Sequence, residues 1–301
     1  MARVSALICT RDRPTSLMRA VRSLLTPADA DIQLFVIDQS DRPETEQALR
    51  ELGDPRLTYV RTAARGKGAA LNQGLQLTQD DVVVCTDDDC EAPPGWVTAM
   101  GRELRSAPDA TIVFCNVVAG PFDPSAGYIP VFVRTTDRVL SSLSDAGRGL
   151  GLGAGMAVRR KAVLALGGFD ETFGPGARFG SGDDWDISLR ALLAGSHIVE
   201  IARLDVVHYG FRTFAEGRHH ALRDWIAIGA LCAKPIRAGH LSAVQLSVRL
   251  FWIHGLWPPL HDVLRLHRPS GASRIVGFLK GFAWGLGTPV ERKTLCFQPK
   301  R

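Results

Sequence analysis

Four strand-length apolar runs in the first ninety residues, with amphipathic helical segments between them, leave this chain few ways to fold. The runs cover residues 4–9, 34–37, 57–60 and 82–85, each bounded by polar or turn residues. Between them, residues 14–25 place Leu17, Ala20, Val21 and Leu24 on one face, residues 44–52 form a second helical segment, and residues 67–77 carry Ala70, Leu71, Gly74 and Leu75. Strands that alternate with helices need crossover connections, so the expected fold is α/β with a doubly wound, mostly parallel sheet. Ligands of such sheets bind beyond the carboxyl ends of the strands, where strand order reverses. Thr10 after the first run, Asp38 after the second and the trio Asp87, Asp88 and Asp89 after the fourth are therefore expected to face one crevice.

Beyond Pro93 the pattern loosens. It predicts a helix over 96–105 and a strand over 111–118, then a Gly/Pro/Ser-rich stretch, 120–155, read as loop with some helix around Val139. A strand at 156–158, helices over 161–166 and 184–193, and short strands near Ile198 and Val206 follow. From His219 the chain reads as helical and amphipathic, broken at Pro235, Pro258 and Pro269.

The segment 82–91, VVVCTDDDCE, is the sharpest chemical signal. A buried strand that opens onto three carboxylates is electrostatically unfavourable, because like charges at that spacing repel unless a cation neutralises them. Carboxylate oxygens suit Mg²⁺ or Mn²⁺, and Mg²⁺ takes only one or two protein carboxylates, leaving the rest of its shell to substrate phosphates and water. A solvated acidic turn is the plainer alternative. A second acidic pair, Asp183-Asp184, follows Gly180 and Gly182 at the head of a helix whose apolar face holds Ile187, Leu189, Leu192 and Leu193. One of the two can cap the helix, and the other is then free to act as a general base on a hydroxyl. In VVHYGFR, residues 206–212, His208 ends an apolar pair and is either structural or a companion of the carboxylates on a metal. Thr10, Arg13, Asp38 and Lys67 of the Arg65-Gly66-Lys67-Gly68 loop, with Asp87 and Asp88, make up a candidate nucleotide-binding set.

Several classes are excluded. The loop around Lys67 lacks P-loop spacing, and no GxGxxG follows the first strand. The six cysteines are scattered without a CxxC pair, which suggests free thiols rather than a zinc ribbon or a disulfide framework. The apolar start is too short for a signal peptide, and the segment 241–260 carries Arg249, His254, Pro258 and Pro259, so neither export nor a membrane span is expected. A cytoplasmic location follows as the expectation.

In order along the chain, VSALICTRDRP, FVIDQSD, GKGAALNQGL, TDDDCEAPPGW, GAGMAVRRKAVLALGGFDE, GSGDDWDISLR and VVHYG resemble the family 2 glycosyltransferases over roughly residues 3–215. The resemblance implies a GT-A fold: a catalytic domain over 1–215, with a nucleotide-sugar half to about residue 118 and an acceptor half over 119–215, then a helical extension over 216–301. It implies that Thr10 and Asp38 hold the nucleoside, that Asp87 and Asp89 form a DxD-type motif with Asp89 on the metal, and that His208 is a further ligand. Asp184 takes the place of the catalytic base. Its neighbour Asp183 stands where the family usually has glutamate, and Leu71-Asn72 stands where it often has Arg-Asn. The implied reaction is inverting, metal-dependent transfer from a nucleotide-diphosphate sugar to a hydroxyl of a glycan, lipid-linked or small-molecule acceptor. Two other classes fit parts of the pattern: a sugar nucleotidyltransferase and a non-catalytic binder of nucleotide sugars.

From Lys234 onward eleven Lys and Arg face two acidic residues, interleaved with Phe251, Trp252, Trp257, Phe278, Phe282 and Trp284. This mixture suits either peripheral attachment to an anionic membrane, placing the chain at the inner face of the cell membrane, or a helical subdomain packed on the catalytic core. No nucleic-acid-binding motif accompanies the charge.

Overall fold

A computed structural model describes residues 3–147, 149–266 and 271–298. Strands β1 (Val4–Thr10), β2 (Ile32–Asp38), β3 (Leu57–Arg61) and β4 (Val82–Asp87) pair in parallel in the order β3-β2-β1-β4. Helices α1 (Pro14–Leu24), α2 (Glu44–Leu52) and α3 (Lys67–Leu77) make the crossovers. Strand order turns back between β1 and β4, and the ends of these two strands are where the polar residues cluster.

The second half adds β5 (Cys90–Glu91), α4 (Trp96–Ser106), β6 (Ala110–Ala119), β7 (Gly127–Tyr128), β8 (Arg138–Leu140) and α5 (Leu143–Ala146). Then come β9 (Met156–Arg159), α6 (Arg160–Ala165), α7 (Asp183–Leu193), β10 (His197–His208) and β11 (Arg212–Thr213). β9 inserts antiparallel between β4 and β6, and β10 pairs in parallel with β6. Two antiparallel steps restore direction, so β1, β2, β3, β4, β6 and β10 all run the same way in a mixed, mostly parallel sheet of nine strands among the described residues. His208, the last residue of β10, consequently emerges at the same edge as Asp87. β7 and β11 form a separate two-stranded ribbon.

Helices α8 (Phe214–Arg237), α9 (Ser242–Leu250), α10 (Trp257–Leu264) and α11 (Ala272–Gly287) complete the chain, with a π turn over Phe251–Leu256 joining α9 to α10. One core layer packs Val4, Ile8 and Val36 of the sheet against Leu17, Val21, Trp96 and Met100. The other packs Leu7, Phe35 and Phe114 against Leu71 and Ile187, and continues without interruption into Trp225, Leu231 and Phe278 of the C-terminal helices. α8 and α11 meet backbone to backbone: a Cβ on Gly281 would fall 1.8 Å from the Ile226 carbonyl oxygen, and one on Gly229 would fall 2.1 Å from that of Phe278.

Several expectations need correction. Val139 lies in β8, an edge strand paired with β10, and the nearby helix is α5. The short strands near Ile198 and Val206 are one strand, β10, with a register irregularity between Glu200 and Asp205 that interrupts its apolar pattern. α8 begins at Phe214, because Thr213 and Glu216 form a capping box ahead of the first apolar turn. Pro235 falls inside α8 two residues before its end, where the missing N–H removes a single intrahelical bond. Pro258 sits in the first turn of α10, where no N–H is needed, so it does not break the helical path. Pro269 lies outside the described residues.

Candidate active site

The strand VVVC buries both faces and delivers Asp87, Asp88 and Asp89 to the sheet edge in three different environments. Asp88 turns inward. Its carboxylate accepts the Thr10 hydroxyl at 2.7 Å and the Arg13 guanidinium at 3.2 Å. Burial pushes its carboxyl up to about 6, against the Thr10 hydrogen bond and the Arg13 charge. Arg13 also reaches Asp89 at 3.2 Å, clamping the end of β1 to the acidic turn.

Asp89 faces His208, with Oδ1 to Nε2 at 3.4 Å. Burial acts to raise the Asp89 carboxyl, but the hydrogen bond and charge of His208, with Arg13 behind them, hold it below the usual range. The imidazole responds in kind: burial acts downward, and Asp89 more than reverses it. His208 Nδ1 lies 3.0 Å from the Pro130 carbonyl, which accepts its proton and leaves Nε2 directed at the acidic turn. A side chain at residue 210 would close this space, since a Cβ on Gly210 would stand 2.4 Å from His208 Nε2 and 3.0 Å from Asp89 Oδ2.

Asp87 points the other way, accepting the Lys67 ammonium. Lys67 is the hinge of the site, because its Nζ is also 3.9 Å from Asp183 at the start of α7. Burial opposes its charge, yet Asp87 and Asp183 hold it well above its ordinary range. Gly66, at φ +96, turns the chain into α3, and the Lys67 N–H donates to the Pro175 carbonyl at 2.9 Å, docking the loop on the segment before α7.

Neither acidic residue of the second pair caps α7. Gly182, at φ +85, occupies the cap position, and both carboxylates stand in the first helical turn. Asp183 is buried, and burial raises its carboxyl with Asp87 adding to the effect against Lys67. Asp184 is half-buried; Oδ2 accepts the Gly153 N–H at 2.9 Å and Oδ1 the Trp185 N–H at 2.8 Å. Burial, and then the charge of Asp183, push its carboxyl up to about 6. A Cβ on Gly153 would be 3.5 Å from both Asp184 Cβ and Lys67 Nζ, so Asp184, Lys67 and Asp87 lie side by side.

The structure thus gathers Thr10, Arg13, Lys67, Asp87, Asp88, Asp89, Asp183, Asp184 and His208. Asp38 stands apart: it is fully buried, with its two oxygens taken by the Ser40 N–H and the Tyr59 hydroxyl, each at 2.8 Å. Asn72 pairs with the Phe169 backbone in both directions and pins the loop over 168–171. Sequence reasoning missed the Gly153 N–H and the Pro130 carbonyl, since backbone groups carry no residue-type signature. It also missed the ion cluster behind α7, in which Lys234 of α8 reaches Asp170 at 2.8 Å and pairs with Asp186, while Arg190 holds the other Asp186 oxygen at 2.7 Å. A lysine within the run Ala230 to Pro235 was the available hint, because a lysine among apolar helix positions needs buried partners.

Among the described residues no three His, Cys, Asp or Glu side chains converge tightly enough to hold an ion by themselves. Asp89 and His208 put a carboxylate and an imidazole 3.4 Å apart, a donor pair of the chemistry that a divalent ion takes when phosphates and water complete its shell.

The sequence profile described as glycosyl transferase family 2 matches residues 5–164. The fold is similar to that of a mannosyltransferase from Pyrobaculum calidifontis, solved in complex with GDP-Man and Mn²⁺, at 15% identity and a TM-score of 0.58, covering 95% of this chain and 87% of that one. It is likewise similar to S. aureus TarS 1-349, at 10% identity and a TM-score of 0.57, covering 93% of this chain and 90% of that one. The same TarS fragment in complex with UDP aligns at 12% identity and a TM-score of 0.57.

Proposed function

The chain belongs to glycosyl transferase family 2 and is a glycosyltransferase, and on that footing we propose that it transfers a sugar from a nucleoside diphosphate to an acceptor hydroxyl with inversion, Asp184 serving as the base. The observation that carries this reading is the Lys67 bridge, which joins Asp87 at the end of β4 to Asp183 beside Asp184. Groups 20 and more than a hundred residues apart in sequence thereby line one crevice.

Asp184 is suited to the base role. A carboxylate raised to about 6 is still mostly ionised at neutral pH, and it is a stronger base than one at its ordinary value. Its Oδ2 is oriented by the Gly153 N–H, so the carboxylate is held in place before an acceptor arrives. The acceptor hydroxyl loses its proton to Asp184 as its oxygen attacks the anomeric carbon. The new glycosidic bond forms while the bond from that carbon to the diphosphate oxygen breaks, and the nucleoside diphosphate leaves with the electron pair.

Arg13 and Lys67 put two cations at the crevice wall toward the negative charge of that leaving group. Asp89 and His208 would hold a divalent ion, Mn²⁺ or Mg²⁺, which when bound supplies further electrostatic stabilisation of the diphosphate. Thr10 supports the site indirectly, spending its hydroxyl proton on Asp88 and so fixing the turn from which Asp87 and Asp89 project.

A thermal-shift series with UDP-, GDP- and dTDP-sugars, with and without Mn²⁺, tests the reading. A melting temperature that rises with one donor, and rises further with the ion, supports it. Indifference to all donors under both conditions would remove it.

A further inference from the structure

The segment 241–264 is apolar on two sides, and only one of them faces the protein. Ala243, Leu246 and Leu250 pack inward. On the opposite side Leu241, Val244, Val248 and Trp252 recur at helical spacing, and all four are exposed. The π turn over Phe251–Leu256 adds a residue to the helical path, and Ile253, Trp257, Leu260 and Leu264 take up the same spacing beyond it, again exposed. α10 has no buried residue at all, and the next leucine, Leu266, is 96% exposed. An apolar stripe of some six turns turned to water is costly, and it calls for an occupant.

We propose that this stripe docks the protein on the surface of an anionic lipid bilayer, lying in the plane of the interface. The charge pattern selects that occupant. Asp262 is the only acidic residue between 238 and 287, against Arg265, Arg268, Arg274 and Lys280, and Arg249, which faces α5. Arg265 at the end of α10 and Lys280 on α11 are exposed. Two exposed tryptophans set a turn or so apart along the stripe suit the headgroup boundary, where an indole buries its ring and keeps its N–H wet. Insertion across the bilayer is not the mode, because no helix among the described residues is long and apolar enough to cross a membrane. The attachment is therefore peripheral, with apolar burial supplying most of the binding and the cations the preference for anionic lipid.

α9 rests on α5, where the Arg249 guanidinium donates to the Ser144 carbonyl at 3.2 Å.

The test is flotation of the full chain with vesicles of phosphatidylcholine, with and without phosphatidylglycerol, at low and high salt and without donor or acceptor. The outcome is thus independent of whether the transferase reading holds. Capture by the anionic vesicles, weakened by salt, is expected. The double variant Trp252→Ala/Trp257→Ala should lose at least about tenfold in partitioning while keeping the parent's melting temperature, since both rings are exposed. No capture by anionic vesicles overturns the proposal. So does capture that ignores both phosphatidylglycerol and salt. Concentration-dependent dimers that the double variant abolishes, without lipid capture, would assign the stripe to a second copy of the chain instead.

Discussion

His208 Nε2 stands 3.4 Å from Asp89 Oδ1, at the same edge of the sheet though 119 residues separate them in sequence. Each holds the other in a defined orientation: the imidazole spends its Nδ1 proton on the Pro130 carbonyl, and Asp89 receives Arg13 from the opposite side. On the proposed function, this pair would hold a divalent ion. His208→Ala should abolish the extra melting-temperature rise that Mn²⁺ adds to donor binding, and Asp89→Asn should abolish both that rise and turnover. Calorimetric titration of Mn²⁺ in the presence of the donor reads the first effect; unchanged ion affinity in both variants would exclude these two residues as ligands.

Asp184→Asn should bind donor as the parent does and lose at least about 10²-fold in turnover, the lower end for acid-base catalysis. The amide oxygen can keep the contact to the Gly153 N–H, but its NH2 then faces the Trp185 N–H that Oδ1 accepts in the parent, so an unchanged melting temperature is the control that separates a missing base from a disturbed loop. Donor-induced thermal shift and initial rates on one preparation separate binding from chemistry.

Turnover and the contribution of Asp184 to stability should respond to acid in opposite directions. With its carboxyl at about 6, Asp184 takes up a proton as pH falls through that value, so turnover should drop by about tenfold per pH unit below it. The unfolded chain holds the same carboxyl near about 3.9, so the folded state binds the proton more tightly. This site's contribution to stability is therefore full below the unfolded value and is lost as pH rises through 6. Melting curves between about pH 4 and 7 should show a pH-dependent component that Asp184→Asn removes.

Lys234→Met should destabilise the protein by about 3–5 kcal/mol, because it leaves the buried Asp170 without a cation and Asp186 with Arg190 alone. Burial acts to raise the Asp170 carboxyl, and the charge and hydrogen bond of Lys234 are the main reasons it sits below its ordinary range. Denaturant unfolding measures the loss. A change within experimental error would show that the cluster contributes little to the fold.

Gly281→Ala should cost about 1–3 kcal/mol or more by forcing α8 and α11 apart, since the added methyl meets backbone rather than a movable side chain. Gly287→Ala is the control, with nothing within 4 Å of its Cβ position. Thermal melts of the two variants should diverge.

Local pattern made much of the first half readable. The face of α1 that carries Leu17, Ala20, Val21 and Leu24 is the face that is buried, and the polar residues at the ends of β1 and β4 meet where a doubly wound topology puts them, while Asp38 at the end of β2 is buried apart from them. Periodicity misled where the environment on the two sides of an element was mixed. β10 read as two strands because its exposed middle breaks the apolar pattern, and β8 gave no strand signal because three residues on an edge are too few.

The chain's order of residues settled which groups leave each strand and helix, because a period of two or 3.6 is a property of neighbours along the backbone. It did not settle that Lys67 lies between Asp87 and Asp183, that Gly153 offers its N–H to Asp184, or that Lys234 reaches back under α7. Those relations arise from the antiparallel insertion of β9 and from one core layer shared by the sheet and the last helices. Contacts between distant segments depend on how whole surfaces pack against one another, and no short window of sequence contains both surfaces.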